Sequence, residues 1–518
     1  MKYQVFSVNE WVYPDSQITA ENKAELFSAR NADVSFQVLT DLQLKGGEKI
    51  DVEFNCQGCE AVVYQLLTAR VTENSHVKSH TTMDYESVKH FVTRQAPFDV
   101  YEVTKPLDDG ETVAERAAFY VRINVSENAP VGVKDTVLTI KIDGEALEIP
   151  VSIKIYNVKV PSLDKAEFHM VNWLYYTRIA ENHKAEIGSD EYMKALDGYL
   201  ENQIDMRNDY LMIPAGVPVR DESGKVVDFD FTNVEKVGNR ALKWGFKYIM
   251  GGFVGRWNPW DGPDLFLLWD MDTKVTSIEA YRQFKIYFAR ALECIERNGW
   301  QNNYMPCLVD EPQFPNSPAY RALSAICRKC LPGVIINDPV ESTELSGAVD
   351  VWVVKQAIYE KYLEDYQKLQ ETGEEMWIYT CGFPAGKTMN RIIDLPLTVS
   401  RMPMWMCYKY NAPGFLHWGY HVHNPEGRWD TNKHYPKNSH PAGNSFVVYL
   451  TEGNPWYSVR GHSQRTGAYD YELFNILGKT DKPKALALID KVCRTFDDYE
   501  PSAELFDSVR RELLEALG

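Results

Sequence analysis

The sequence predicts a multidomain β plus α/β protein. An N-terminal antiparallel β-sandwich covers residues 1–160, and a (β/α)8 TIM-type barrel with C-terminal helices covers residues 161–518. Three observations carry this expectation. Apolar and polar residues alternate with period two through the first 160 positions. Beyond them, apolar runs alternate with amphipathic stretches. The glycine fingerprint of an open nucleotide-binding sheet is absent, since Gly251-Gly252-Phe253-Val254-Gly255 has the wrong spacing.

The strands of the first part are expected at Val34–Leu39, Ala61–Leu66, Ala118–Val125, Thr136–Ile142 and Leu147–Ile155, with turns at Asn128-Ala129-Pro130-Val131-Gly132 and Asp143-Gly144. The boundary falls near Val160-Pro161-Ser162. The barrel strands are expected at Phe168–Tyr176, Tyr210–Pro214, Phe246–Phe253, Tyr304–Val309, Gly333–Asn337, Val349–Val354, Met376–Cys381 and Gly414–Trp418. Helical patterns lie between most of them, and three more follow, at Gly467–Leu477, Lys482–Thr495 and Ala503–Leu517.

Composition narrows the function classes. The 518 residues carry 55 Lys plus Arg against 73 Asp plus Glu, a net charge of −18, and no basic run, which excludes nucleic acid as a partner. No apolar stretch reaches the roughly 18 residues a membrane span needs. The first residues lack the pattern of a secretory signal, so the chain as given reads as cytoplasmic, or as secreted or periplasmic had a signal been removed. The nine cysteines are scattered, and the pairs Cys56/Cys59 and Cys327/Cys330 lack zinc-site partners, so reduced thiols are expected. With 13 Trp and 30 Tyr, the chain is well supplied for stacking on sugar rings.

The chemistry concentrates at Met305-Pro306-Cys307-Leu308-Val309-Asp310-Glu311-Pro312, where two carboxyls end an apolar run. In a barrel, the carboxyl ends of strands carry the active site, and apolar surroundings raise a carboxyl pKa toward what a general acid needs. Pro312 excludes the right-handed helical region for Glu311 and is expected to hold it extended. The bland alternative is a helix-capping Asp310 and a solvated Glu311. Adjacent acids, with Cα atoms about 3.8 Å apart, do not straddle a glycosidic bond. They act from one side, which suits a 2-acetamido sugar whose own carbonyl oxygen attacks.

Several segments resemble the glycoside hydrolase family 123 group, whose catalytic domain overlaps the DUF4091 family. They are Asp310-Glu311-Pro312, Gly373–Cys381 with its W-x-Y-T-C ending, Arg401–Tyr410 leading into Gly414-Phe415-Leu416-His417-Trp418, and Ser458-x-Arg460 followed by Arg465, Gly467 and Asp470-Tyr471-Glu472. Tyr469, His462 and Ala442-Gly443-Asn444-Ser445 depart from the pattern. The resemblance implies a retaining β-N-acetylgalactosaminidase. In it, Glu311 is the general acid and then base, Asp310 orients the acetamido group, and no metal or organic cofactor takes part. Two alternatives stay open: direct displacement on a sugar lacking the acetamido group, and a non-catalytic carbohydrate-binding protein.

Tyr379, Trp418 and Trp352 fall on late barrel strands and are expected to line the sugar site, with Tyr379 donating its hydroxyl to the acetamido oxygen, while Trp377 is expected in the core. His417, His421, His423, His434 and His440 cluster in sequence. They read as a loop over the pocket mouth, with His421 as a sugar contact rather than a metal ligand. A glycan or oligosaccharide is the expected partner.

Overall fold

The structure, a computed structural model, describes residues 1–422, 429–433 and 439–518, and it divides into two compact units. One comprises residues 1–168, 382–410 and 419–518; the other comprises 169–381 and 411–418. The first of these three stretches is separated from the other two by more than two hundred residues of sequence. The C-terminal helices, expected as an extension of the second segment, group with the N-terminal sheets.

In the first unit the alternating segments form two sheets. Seven strands run in the order Tyr3–Phe6, Ala32–Gln43, Arg116–Val125, Cys59–Val71, Phe98–Pro106, Trp456–Ser458 and Val448–Tyr449, each antiparallel to its neighbour. Four more run in the order Ala24–Arg30, Glu145–Lys159, Gly132–Ile142 and Ile50–Phe54. Val34, Phe36 and Val38 of the first sheet and Leu138, Ile140, Ile149, Val151 and Ile153 of the second belong to one buried core, which is the use of the period-two pattern. Asp143 (φ 48°) and Gly144 (φ 89°) make the turn read from the sequence, with both central residues left-handed as a two-residue hairpin requires.

In the second unit eight parallel strands follow in chain order: His169–Asn172, Tyr210–Met212, Tyr248–Met250, Tyr304–Met305, Asn337–Val340, Val351–Lys355, Glu375–Thr380 and Gly414–His417. We call them the first to the eighth. They form two arcs, a five-stranded sheet in the order first, eighth, seventh, sixth, fifth, and a three-stranded sheet of the second, third and fourth. The continuous ladder expected of a closed barrel is thus interrupted twice. At the fourth–fifth junction the cause is local: Pro306 and Pro339 have no N–H to donate. A buried aspartate bridges each junction instead. Asp338 accepts the Leu308 N–H on both oxygens at 2.9 Å and the Tyr320 hydroxyl at 2.6 Å. Asp209 accepts the Met170 N–H at 3.0 Å and faces His169 Nδ1 at 2.7 Å. Val171, Tyr210, Met250, Met305, Val353, Trp377 and Leu416 from both arcs share one core.

The fifth strand starts at Asn337, the last residue of the expected run, and continues beyond it, because Asp338 is a fully buried polar residue that the apolar pattern does not register.

Candidate active site

Seven of the eight strands send a site residue from, or just beyond, their carboxyl ends. Tyr175 follows the first strand, Trp260 the third, Asp310 and Glu311 the fourth, and Glu341 the fifth; Lys355 and Tyr379 close the sixth and seventh, and Trp418 follows the eighth. All lie in the second unit.

The fourth-strand segment is held open as far as the acids. Val309 bridges to Gly255, and the Gly255 N–H donates to the Leu308 carbonyl at 2.9 Å. The Trp257 indole N–H donates to the Asp310 carbonyl at 2.9 Å. Glu311 then takes φ +49°, the left-handed region, rather than the extended backbone expected before Pro312. Proline excludes only the right-handed helix here, and two reciprocal bonds select the turn: Glu311 N–H to the Pro339 carbonyl and Glu341 N–H to the Pro312 carbonyl, both 3.1 Å. A left-handed glutamate costs about 1 kcal/mol or more. Backbone strain of this kind concentrates at functional sites.

The Glu311 carboxylate accepts from the Tyr379 hydroxyl, from Trp260 Nε1 at 3.2 Å, and faces Lys355 Nζ at 3.2 Å. Lys355 also pairs with Glu341, whose other oxygen accepts from Gln313 Nε2 at 2.8 Å. The Tyr379 hydroxyl lies 3.4 Å from Glu341. Glu341, Lys355 and Tyr379 are 6%, 4% and 3% exposed, so this ring of charges is screened little by water. Trp260 is the exposed member, with Lys355 Nζ 5.8 Å from its ring centre.

Burial pushes the Asp310 carboxyl up to about 8, and the negative charge of Glu311 acts in the same direction while Lys355 opposes it. Burial raises Glu341 too, against the pull of Lys355. Burial works against the Lys355 ammonium, yet its neighbours Cys381, Glu311 and Glu341 hold its proton more tightly than usual. Burial and the two glutamates raise Tyr379, which keeps it a hydroxyl donor at neutral pH. The Tyr175 hydroxyl is raised by burial and by the charge of Asp310, so it stands within electrostatic reach of that acid.

The structure therefore brings together Asp310, Glu311 and Tyr379. Trp418, half-buried, stands edge-on to Tyr175 at 6.5 Å on the rim of the core. Trp352 is not brought in: it is fully buried, its indole donates to Glu374 at 2.8 Å, and it packs on Tyr366 of the helix Leu363–Glu371. Its neighbours Val351 and Val353 point into the strand core, so alternation turns Trp352 away. Trp377 packs in that core as expected. His421 is fully buried, bridges to Phe446 and belongs to the first unit. His423 and His434 lie outside the described residues. Among the described residues no group of three or more His, Cys, Asp or Glu could hold a metal, no helix is long and apolar enough to cross a membrane, and all nine cysteines are free.

The late motif has a different use. Arg460 pairs with Glu102 at 2.7 Å, Arg465 with Asp33 at 2.6 Å, and Asp470 accepts from Arg401, Trp405 and Arg510 at 2.7–2.9 Å, all within the first unit. Glu472 accepts the Glu167 and Phe168 N–H groups at 2.8 Å. These residues tie together the separate stretches of that unit.

Sequence reasoning missed Glu341, Lys355, Trp260 and Tyr175. The first two are single charged residues at strand ends, a signal that appears once the strands are placed; Trp260 sits in a loop between the third strand and its following helix.

Parallel strands that deliver paired carboxyls, an ammonium and a phenol from their carboxyl ends form an α/β arrangement suited to acid–base chemistry. Residues 173–477, more than half of the chain, match the model of the glycoside hydrolase 123 catalytic domain. The chain belongs to glycoside hydrolase family 123, and it is a glycosidase. A family 123 glycoside hydrolase from Clostridium perfringens, whose structure was solved to explain glycolipid glycan hydrolysis, is similar over 100% of this chain and 97% of its own. It shares 12% identity at a TM-score of 0.75, which shows a common fold. An endo-β-1,4-mannanase from Thermotoga petrophila is similar over 60% of this chain and 78% of its own, at 13% identity and a TM-score of 0.36. No curated protein matches the chain.

Proposed function

We propose that this glycosidase removes a terminal β-linked 2-acetamido sugar, most simply N-acetylgalactosamine, by substrate-assisted retaining catalysis. The two parallel arcs would serve as the (β/α)8 barrel of the reaction, and the two N-terminal sheets would form a β-sandwich. One observation carries the reading: neighbouring acids stand at one strand end, with Glu311 held among donors from the sixth and seventh strands. No carboxylate need lie on the opposite face of the sugar if the acetamido oxygen attacks.

In the first step the acetamido oxygen bonds to the anomeric carbon as the glycosidic C–O bond breaks, and Glu311 gives its proton to the departing oxygen. With the proton shared by the acid pair placed on Glu311, the ionised Asp310 accepts the acetamido N–H and balances the positive charge that grows on nitrogen. In the second step water adds to the anomeric carbon, Glu311 takes back a proton, and the oxazoline opens. The glycolipid glycan named for the Clostridium perfringens neighbour is consistent with such a terminal sugar.

Glu311→Gln tests the reading. On a nitrophenyl N-acetyl-β-galactosaminide, kcat/KM should fall by about two to four orders of magnitude with the fold intact; near-normal turnover would refute the assignment. Strong inhibition by a thiazoline analogue of the sugar is expected, and its absence would favour direct displacement.

A further inference from the structure

Behind the acid pair stands a carboxylate that the proposed chemistry does not consume. Lys355 pairs with both Glu311 and Glu341, and the three side chains are 5%, 18% and 5% exposed in the order Lys355, Glu311, Glu341. An ammonium beside a carboxylate favours the ionised form, and a buried pair holds that form firmly. A general acid must carry a proton before it can act, so Lys355 with Glu311 as its sole counter-ion would oppose the first step. Glu341 divides the lysine's charge.

Its own anchoring suits it to do so. Gln313 donates to it at 2.8 Å, and Gln313 is fixed in turn by its N–H bond to Asn316 Oδ1 at 2.7 Å. The reciprocal 3.1 Å backbone bonds lock residue 341 to the turn that carries Glu311.

We propose that Glu341 is a positioning residue: it holds Lys355 as a shared counter-ion, so that Glu311 is free to take up and release the catalytic proton. The inference rests on Glu311 being the general acid. Among the described residues, the groups facing this carboxyl are Asp310, Lys355, Glu341, Tyr379 and Trp260, with Arg256 and Tyr175 acting on Asp310 and Cys381 on Lys355. Removing Glu341 takes away a negative charge and leaves Lys355 to Glu311, and both changes disfavour the protonated pair. Removing Lys355 does the opposite.

The test is the pH dependence of kcat/KM, measured on the full chain for the wild type, Glu341→Gln, Lys355→Met and the double variant. Glu341→Gln should move the profile to lower pH by about one unit and lower its plateau about tenfold. Lys355→Met should move it to higher pH, and the double variant should fall between the singles. Limbs that stay in place, or that move together in the two single variants, would overturn the proposal. Should Glu341→Gln not fold, Lys355→Met against the double variant, which removes both members of the Lys355–Glu341 pair, reads the same sign. An inactive Glu311→Gln with unmoved limbs removes the role of Glu341 alone, whereas an active Glu311→Gln removes the acid assignment itself.

Discussion

Asp310→Asn separates the electrostatic cost of the acid from its shape. The carboxyl rises from an ordinary 3.8 to about 8, burial being the main cause. A rise of about four units at 1.36 kcal/mol each sets a ceiling of about 5 kcal/mol. Asp310 keeps partial contact with solvent, and screening reduces the ceiling to about 2 kcal/mol. The sign follows from proton counting. The folded state retains a proton that the unfolded state releases, so the contribution is fully present below about pH 4 and is lost as pH rises through about 8. Wild type should therefore lose stability over that window, and the asparagine variant should not. Thermal melts near pH 4 and near pH 9 read the difference. The variant should gain about 4–8 °C on the wild type between the two conditions. A Tm difference independent of pH would show that Asp310 is not a buried acid and would remove the electrostatic basis of the pair.

Two further outcomes follow from contacts already described. Tyr379→Phe deletes one hydroxyl from the ring around Glu311; losing a hydrogen bond to a charged group, worth about 1.5–3 kcal/mol, should lower kcat/KM about 10–100-fold with the fold kept. Unchanged kinetics would exclude Tyr379 from the site. At Gly414 an added Cβ would sit 2.0 Å from the Trp377 ring, so Gly414→Ala should destabilise by about 1–3 kcal/mol, and an unchanged Tm would show that the ring moves freely.

The strands were legible where burial has a simple period. Gly132–Ile142 and Glu145–Lys159 alternate between core and solvent, and Val351–Lys355 is buried throughout, as parallel strands are. The acid pair could be picked out because two carboxyls end an apolar run, although such strand-end pairs are common and spacing alone does not make one catalytic. Trp352 misled because aromatic content does not reveal which face of a buried strand a residue takes, and His421 because closeness in sequence does not fix the unit a residue joins. Lys355 and Glu341 gain meaning only through each other, across adjacent strands. The partners of Asp470, Arg401 and Arg510, lie on distant segments, and no local pattern announces them.

The pairing of Trp456–Ser458 with Phe98–Pro106 bears on biosynthesis. While the chain emerges from a ribosome, the Phe98–Pro106 edge waits for more than three hundred further residues before its last neighbour arrives. Until then its N–H and C=O groups stand open to other nascent chains, a known route to aggregation. Truncation upstream of Trp456 would make that exposure permanent, so shortened forms should precipitate even where the catalytic strands are complete.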